Sequence, residues 1–523
     1  MEKLKYFQNI IKEKRKQTSF RDYLKEIASL RTMNLYNNTG FVSVYPPNTE
    51  RIGKIISHKD FDESRDSISK NGLTYDFSKI FFENFEILFK SSNFAPTVLH
   101  GECENAIFTD QTVSCSNSYL SFVVIRGCEN VLYSFSVKEN SVNVLNSIVV
   151  WDTCENIFTS KGIIKSFNIF YSKHIINSSN LWFCSNMLGC HDCIFCDNLD
   201  NKSYCINNKQ LTKEEFKIEK EKILKNKTEF FSWFLKIDSK GNNFSSNNVN
   251  GIFNIESENI TNGANNYQIK NGKNIMFIGG KGPGENIYDC FLNTPPETDV
   301  YGVFSTGYCD NIYNSYQITG GSNLYYSVIM ENCSYCIGCV GLKNQSYCIL
   351  NKQYTKEEWE ILAEKIFTGM EIEKILGEFF PGSLNPYYFN DSAAYLIDDS
   401  FTKQEVEKQG YMWRDAEIKV DIPEGVEVIF THPQPLPSKE GRSSSSSSSH
   451  DKGSLGGVLS DYQGIDSNGN WQINPEILKK VIKDEKGNIY RIVQMEYDFL
   501  MKHGLPLPEI HWLDRIKMGF KFK

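Results

Sequence analysis

The chain has 523 residues, 40% of them hydrophobic, and carries 56 Lys and Arg against 64 Asp and Glu for a formal net charge of −8. That length predicts several domains and that apolar content a real core, which excludes a wholly disordered chain. A pI near 5.7 argues against a generic nucleic-acid-binding surface, and the start Met1-Glu2-Lys3-Leu4-Lys5 lacks the apolar region of a signal peptide; with no membrane-length apolar run, a soluble cytoplasmic chain is expected.

Residues 1–92 read as a mixed α/β region with a helix around 20–30. The basic run at 12–16 reads as a solvated face of an N-terminal helix, and the aromatic run at 77–89 as irregular or extended chain. From 93 to 210 the text changes to a ladder of asparagines, Asn105, Asn117, Asn130, Asn143, Asn156, Asn168 and Asn180, with Asp192 next in line. The steps are always twelve or thirteen residues, and a fixed short period means a solenoid. Two residues after each asparagine stand Ile107, Tyr119, Leu132, Leu145, Phe158, Phe170, Trp182 and Ile194, and four after it stand small hydroxyl or thiol residues such as Ser121, Ser134 and Ser147. Strand alternation would place all three columns on one inward face, with the amides bonded to one another between coils.

Cys103-Glu104-Asn105, Cys128-Glu129-Asn130 and Cys154-Glu155-Asn156 recur at 25 and 26 residues, and a shorter coil would have little room for Phe158, Phe170 and Trp182. The expected fold is therefore mainly β: a parallel β-helix or β-solenoid in two sections, about 25 residues per coil with two 12–13-residue repeats each, flanked by helical segments.

Residues 211–240 read as an amphipathic helix opened by the capping box Thr212-x-x-Glu215. A second solenoid section follows at 241–353, with Asn274, Asn286, Asp299, Asn311 and Asn323 leading to Tyr335. Its Gly279–Gly284 stretch lacks the Gly-Lys-Ser/Thr ending of a P-loop and reads as a solenoid turn. Helical and irregular chain at 354–430, a Pro/Ser-rich linker at 431–460 containing Ser443–Ser449, and a small C-terminal module at 461–523 complete the order.

The 15 cysteines mostly fill serine columns and read as small buried side chains. One cluster occurs twice: Cys190, Cys193, Cys196 and Cys205 are matched by Cys333, Cys336, Cys339 and Cys348, each displaced by 143 residues. Four thiolates can hold a tetrahedral zinc. On an ordinary strand, however, residues three apart face opposite sides, so reduced stacked thiols are the preferred reading, with no cofactor and zinc as the alternative.

The cysteine clusters together with Asn351-Lys352-Gln353-Tyr354-Thr355-Lys356-Glu357-Glu358-Trp359, the Gly377–Pro381 stretch, Gly410-Tyr411-Met412-Trp413-Arg414-Asp415 and Gly504-Leu505-Pro506-Leu507-Pro508 resemble a family of cysteine-rich solenoid proteins from candidate-phyla bacteria. The resemblance spans most of the chain and implies little about activity, since no function is established for that family. It also implies a C-terminal zinc ribbon, from which this chain departs: Lys483 and Lys486 stand in the first ligand pair's places, and His511 and Asp514 in the second's. A degenerate, metal-free ribbon is expected.

Three functions follow as expectations. The first is a non-enzymatic scaffold that presents flat sheet faces to a protein or polysaccharide partner. The second is a carbohydrate-active β-helix enzyme using Glu104, Glu129 and Glu155, stacked about 5 Å apart on adjacent 25-residue coils. The third is a metal- or nucleic-acid-binding protein built on the cysteine clusters and basic helices, although the charge balance disfavours nucleic acid. His174 and His191, the only histidines in the repeats, have no recognisable nucleophile partner and no catalytic residue is assigned.

Overall fold

The structure, a computed structural model, describes residues 2–237 other than 29–31, 39–40, 48 and 69–71, then 301–415, 422–432 and 457–520; between 238 and 300 it gives mainly the backbone of four short strands. The chain is a parallel β-solenoid between residues 104 and 349, interrupted by helices at 213–236 and with further helices before and after it. Asn274, Asn286 and the glycine-rich stretch at 279–284 lie outside the described residues, as does most of the 431–460 linker. Among the described residues no helix is long and apolar enough to cross a membrane.

The coil is half the expected length. Glu104 pairs in parallel with Ser116, Ser116 with Glu129, and Glu129 with Val142, so each coil is one repeat of twelve or thirteen residues carrying two four-residue strands. The 25-residue recurrence is real but skips a coil. The first run builds a ten-stranded and a nine-stranded sheet, back to back.

Backbone conformation explains how so short a coil closes. From Asn105 onward nearly every third residue has a positive φ near 50°: Asn105, Phe108, Gln111 and Ser114 in one coil, then Asn117, Leu120, Val123 and Arg126 in the next. Left-handed backbone at every third residue breaks strand alternation, so side chains three apart point the same way. Asparagine tolerates that region better than most residues, which is why it holds the first corner of each coil. Thirteen-residue coils take up their extra residue as a second left-handed one, at Gly127, Asn140 or Thr153. All three are exposed, so the insertion disturbs no packing.

Numbered from the asparagine, the inward positions are therefore −2, +1, +4 and +7. They are filled by Cys128, Val131, Ser134 and Val137 in one coil and by Ser166, Ile169, Ser172 and Ile175 in a later one, all fully buried. The +2 column, expected inside, points outward. Leu145, Phe158, Phe170 and Trp182 are buried because other parts of the chain cover them, including Phe230 and Phe499. The objection that a short coil cannot hold aromatics thus falls away, since its interior holds none of them.

Two hydroxyl ladders run inside. Ser134 Oγ donates to its own coil at Leu132 O (2.8 Å) and accepts from Ser147 N (3.2 Å), and Ser147 Oγ accepts from Ser160 N (3.1 Å). Each serine pairs a corner N–H that would otherwise be buried without a partner. Outside the same corners, Nδ2 of Asn105, Asn117, Asn130, Asn143, Asn156 and Asn168 donates to Oδ1 of the next asparagine at 2.9–3.2 Å, ending on Asn180. In the second run Asn311 and Asn323 hold the same left-handed corner, and Tyr335 continues the column, stacked on Tyr347 at 5.0 Å.

Both runs end alike. A short strand folds back antiparallel, Cys205 opposite Gln210 and Cys348 opposite Gln353. Thr212 and Thr355 then cap a helix, each accepting from the backbone N–H of Glu215 or Glu358 while that glutamate accepts from the threonine's own N–H.

The helices are α1 (Glu2–Gln17), α2 (Phe20–Ala28), α3 (His58–Ile68), α4 (Phe81–Ser91), α5 (Lys213–Ile223), α6 (Phe230–Lys236), α7 (Lys356–Ile372), α8 (Ala393–Ile397), α9 (Lys403–Glu407), α10 (Gln494–His503) and α11 (Trp512–Phe520). Helix α4 corrects the extended reading of 77–89: Phe81, Phe85, Leu88 and Phe89 form one buried stripe, and the Glu83 carboxylate accepts from Ile80 N. The expected inter-section helix is two helices, broken between Leu224 and Glu229. In α1 the basic run is not uniformly solvated, because Arg15 is buried in a bidentate pair with Glu26.

Candidate functional site

Each coil of the first run has four outward columns, −1, +2, +5 and +8. Three are covered. Column +2 lies under α6 and the C-terminal module, while Phe135, Ile148, Trp151 and Ile164 of columns +5 and +8 join a core that contains Ile516 and Phe520 of α11. Much of the flat surface of the first run is thus occupied by the chain itself.

Column −1 stays in solvent. Its register runs Glu104, Ser116, Glu129, Val142, Glu155, Phe167, Ser179, His191 and Ser203. None of the nine is buried, and Phe167 is 51% exposed although it is a large apolar side chain. Eight steps of about 4.8 Å make this a straight row of about 38 Å, flanked by the asparagine ladder. The sequence shows three members of this row, Glu104, Glu129 and Glu155; the six between and beyond them follow the same place, one before each ladder position.

Glu104, Glu129 and Glu155 do share this row. They sit on alternate coils, about 9.6 Å apart, with Ser116 and Val142 between them. That backbone spacing is too long for a retaining glycosidase pair, about 5–5.5 Å, and lies at the upper edge of the inverting range, about 6.5–9.5 Å. Of the repeat histidines, His174 is fully buried and its pKa is pushed well below the usual value by burial, while His191 is exposed with Nδ1 3.1 Å from its neighbour Asp192. They lie in different columns and form no catalytic pair.

The cysteine clusters come together inside the solenoid, contrary to the expectation that residues three apart diverge. Cys190, Cys193 and Cys196 occupy the −2, +1 and +4 inward positions of one coil, Cys184 the +4 position of the coil before, and Cys205 the +1 position of the coil after, where it is in register with Cys193. Cys333, Cys336, Cys339 and Cys348 repeat this, Cys336 in register with Cys348. The thiols donate to backbone carbonyls, Cys193 Sγ to His191 O and Cys336 Sγ to Ser334 O, both at 3.4 Å. Burial, together with thiols of Cys333, Cys339 and Cys348 around it, pushes Cys336 well above the ordinary thiol range. Cys196, with the Cys184 and Cys193 thiols beside it, is instead held below the ordinary thiol range, and in the second cluster Cys333 is the lowered one, beside Cys336. The thiols also serve as serine substitutes: Cys196 Sγ and Cys339 Sγ accept from Asn208 N and Asn351 N, both at 3.3 Å. All eight are free, and among the described residues no group of three or more His, Cys, Asp or Glu is arranged to hold a metal ion.

At the C-terminus, the places of the absent ribbon ligands are joined by charge. Lys486 Nζ lies 3.0 Å from Asp514 Oδ2, and His511 N donates to Asp484 Oδ2 at 3.2 Å. Asp484 Oδ1 also accepts from Lys486 N and Asn488 N, closing a turn with Gly487 at φ 85°. The module is anchored to the solenoid by Arg515, which reaches Glu496 at 2.9 Å and Asn146 at 2.7 Å and lies over the Tyr133 ring at 4.7 Å.

The chain matches no family model, no curated protein and no solved structure.

Proposed function

We propose that this protein is a non-enzymatic solenoid scaffold that holds an elongated partner, a polysaccharide or a protein, along column −1. The observation behind this reading is that, of the four outward columns of the first run, three are largely covered by the chain's own helices and C-terminal module and one is left as a regular row with no buried member. A row with a fixed rise of about 4.8 Å, carrying carboxylates at Glu104, Glu129 and Glu155, hydroxyls at Ser116, Ser179 and Ser203 and an exposed ring at Phe167, suits a partner that is itself extended and repetitive. Stiffness from the amide and hydroxyl ladders means little is lost in ordering the surface on binding.

A glycan array followed by pull-down with the full chain tests this. Capture that falls at least about tenfold in Phe167→Ala and in Glu129→Gln/Glu155→Gln supports the proposal. Capture untouched by both variants removes column −1 as the binding row. Turnover of a captured glycan would favour the enzyme reading instead.

A further inference from the structure

Away from that row, a cleft of about 790 Å³ opens between the α5–α6 segment and the C-terminal module. Five lysines from two parts of the chain line it: Lys217 and Lys220 on α5, Lys225 and Lys227 in the connection to α6, and Lys502 at the end of α10. Glu221 is the single acid in the wall among the described residues. None of the five lysines is in an ion pair among the described residues, whereas the neighbouring Lys222 pairs with Glu219 at 2.7 Å.

A concentration of positive charge on a chain of net charge −8 needs a reason. Helix dipoles account for Lys220 and Lys502, which sit in the last turns of α5 and α10. They do not account for Lys225 and Lys227, nor for the convergence. Lys227 is the least comfortable of the set: its ammonium lies 5.1 Å over the Phe230 ring and against Gly504, and burial pushes its pKa down to about 8. A cation half out of water with no counter-ion is costly, and an anion from outside relieves it. The cleft is also lined by Trp471, which is half-buried. An anionic ligand that carries flat rings would use both the lysines and this indole.

We propose that this cleft binds single-stranded nucleic acid, with backbone phosphates on the lysines and a base against Trp471. An open cleft with spread lysines fits a chain of phosphates better than one phosphate group, and stacking on Trp471 requires bases that a duplex keeps paired. The whole-chain charge disfavours a generic surface but not a local cationic groove. No residue of column −1 takes part, so this proposal and the scaffold reading stand or fall separately.

The test uses the full chain and a fluorescent oligouridylate, with anisotropy read from about 50 to 200 mM salt. Five phosphate contacts predict a slope of log K against log salt of about −3.5. Lys217→Glu/Lys225→Glu should weaken binding at least about tenfold and flatten the slope by about 1.4, and Trp471→Ala should weaken it about tenfold with the slope kept. Because Trp471 is half-buried, the exposed lysine pair is the deciding variant, and its thermal unfolding should match the parent chain. Phe167→Ala should leave binding unchanged. Absence of binding, equal binding of a duplex, or insensitivity to the lysine reversal overturns the proposal. Equal competition by uridine monophosphate at matched phosphate concentration also overturns the strand and assigns the cleft to a free nucleotide.

Discussion

Ser147→Ala isolates the rule that builds the solenoid interior. The Ser147 hydroxyl is fully buried, donates to Leu145 O at 2.8 Å and accepts from Ser160 N at 3.1 Å. Alanine leaves Leu145 O satisfied, because Thr159 N also donates to it at 3.0 Å. It leaves the Ser160 N–H facing a dry interior with nothing to bond. An unpaired buried donor costs about 1–3 kcal/mol, so about 2 kcal/mol is expected. Cysteine should cost clearly less, since Cys190, Cys196 and Cys339 already accept backbone N–H bonds through sulfur at 3.3–3.4 Å. Global unfolding of so long a chain need not be two-state, so the assay is hydrogen exchange resolved to the segment around Ser160. Alanine should raise exchange there by about thirtyfold and cysteine by only a few-fold. Equal protection in Ala and parent, or Cys as damaging as Ala, would refute the claim that thiols and hydroxyls share one acceptor role.

Arg515→Met should cost about 3–5 kcal/mol, because Glu496 is then buried beside Asn146 and Tyr133 without its cation; Arg515→Met/Glu496→Leu should recover most of this in a denaturant titration. Acid should loosen the C-terminal module. Burial holds His503 and His511 at about 4, below the ordinary 6.5, so the unfolded state binds more protons between those values. Their stabilising contribution is complete above pH 6.5 and is lost as pH falls toward 4, and tryptophan fluorescence of His503→Gln/His511→Gln should show a shallower acid transition. Anaerobically purified protein should carry zinc and iron well below one per chain by elemental analysis; one metal per cysteine cluster would overturn the reading of the thiols as hydrogen-bonded core.

Periodicity was legible in the sequence and facing was not. The asparagine steps announced a solenoid, and Thr212 and Thr355 announced where its runs stop. What could not be read was the left-handed backbone at Phe108, Val123 or Val149, positions where no asparagine or glycine advertises it. That hidden conformation rotates the inward set from 0, +2, +4 to −2, +1, +4, +7, and one misplacement produced the others: the doubled coil, the inward aromatics, the divergent cysteines and the 5 Å glutamate stack. Coverage of the faces was equally out of reach, since it depends on Phe230, Phe499 and Phe520 returning from distant sequence. Even α4 shows the same competition, its helical stripe masked by aromatic residues that favour strands.

The fold-back strands after Ile206 and Ile349 act as stop codons written in backbone direction. A parallel coil can template another coil, but an antiparallel strand with a capped helix leaving it cannot. Copying a single repeat in such a chain lengthens a rod, whereas copying a run together with its terminator founds a second rod. The 143-residue displacement that carries Cys190 to Cys333 also carries Thr212 to Thr355, so what was duplicated here included the full stop.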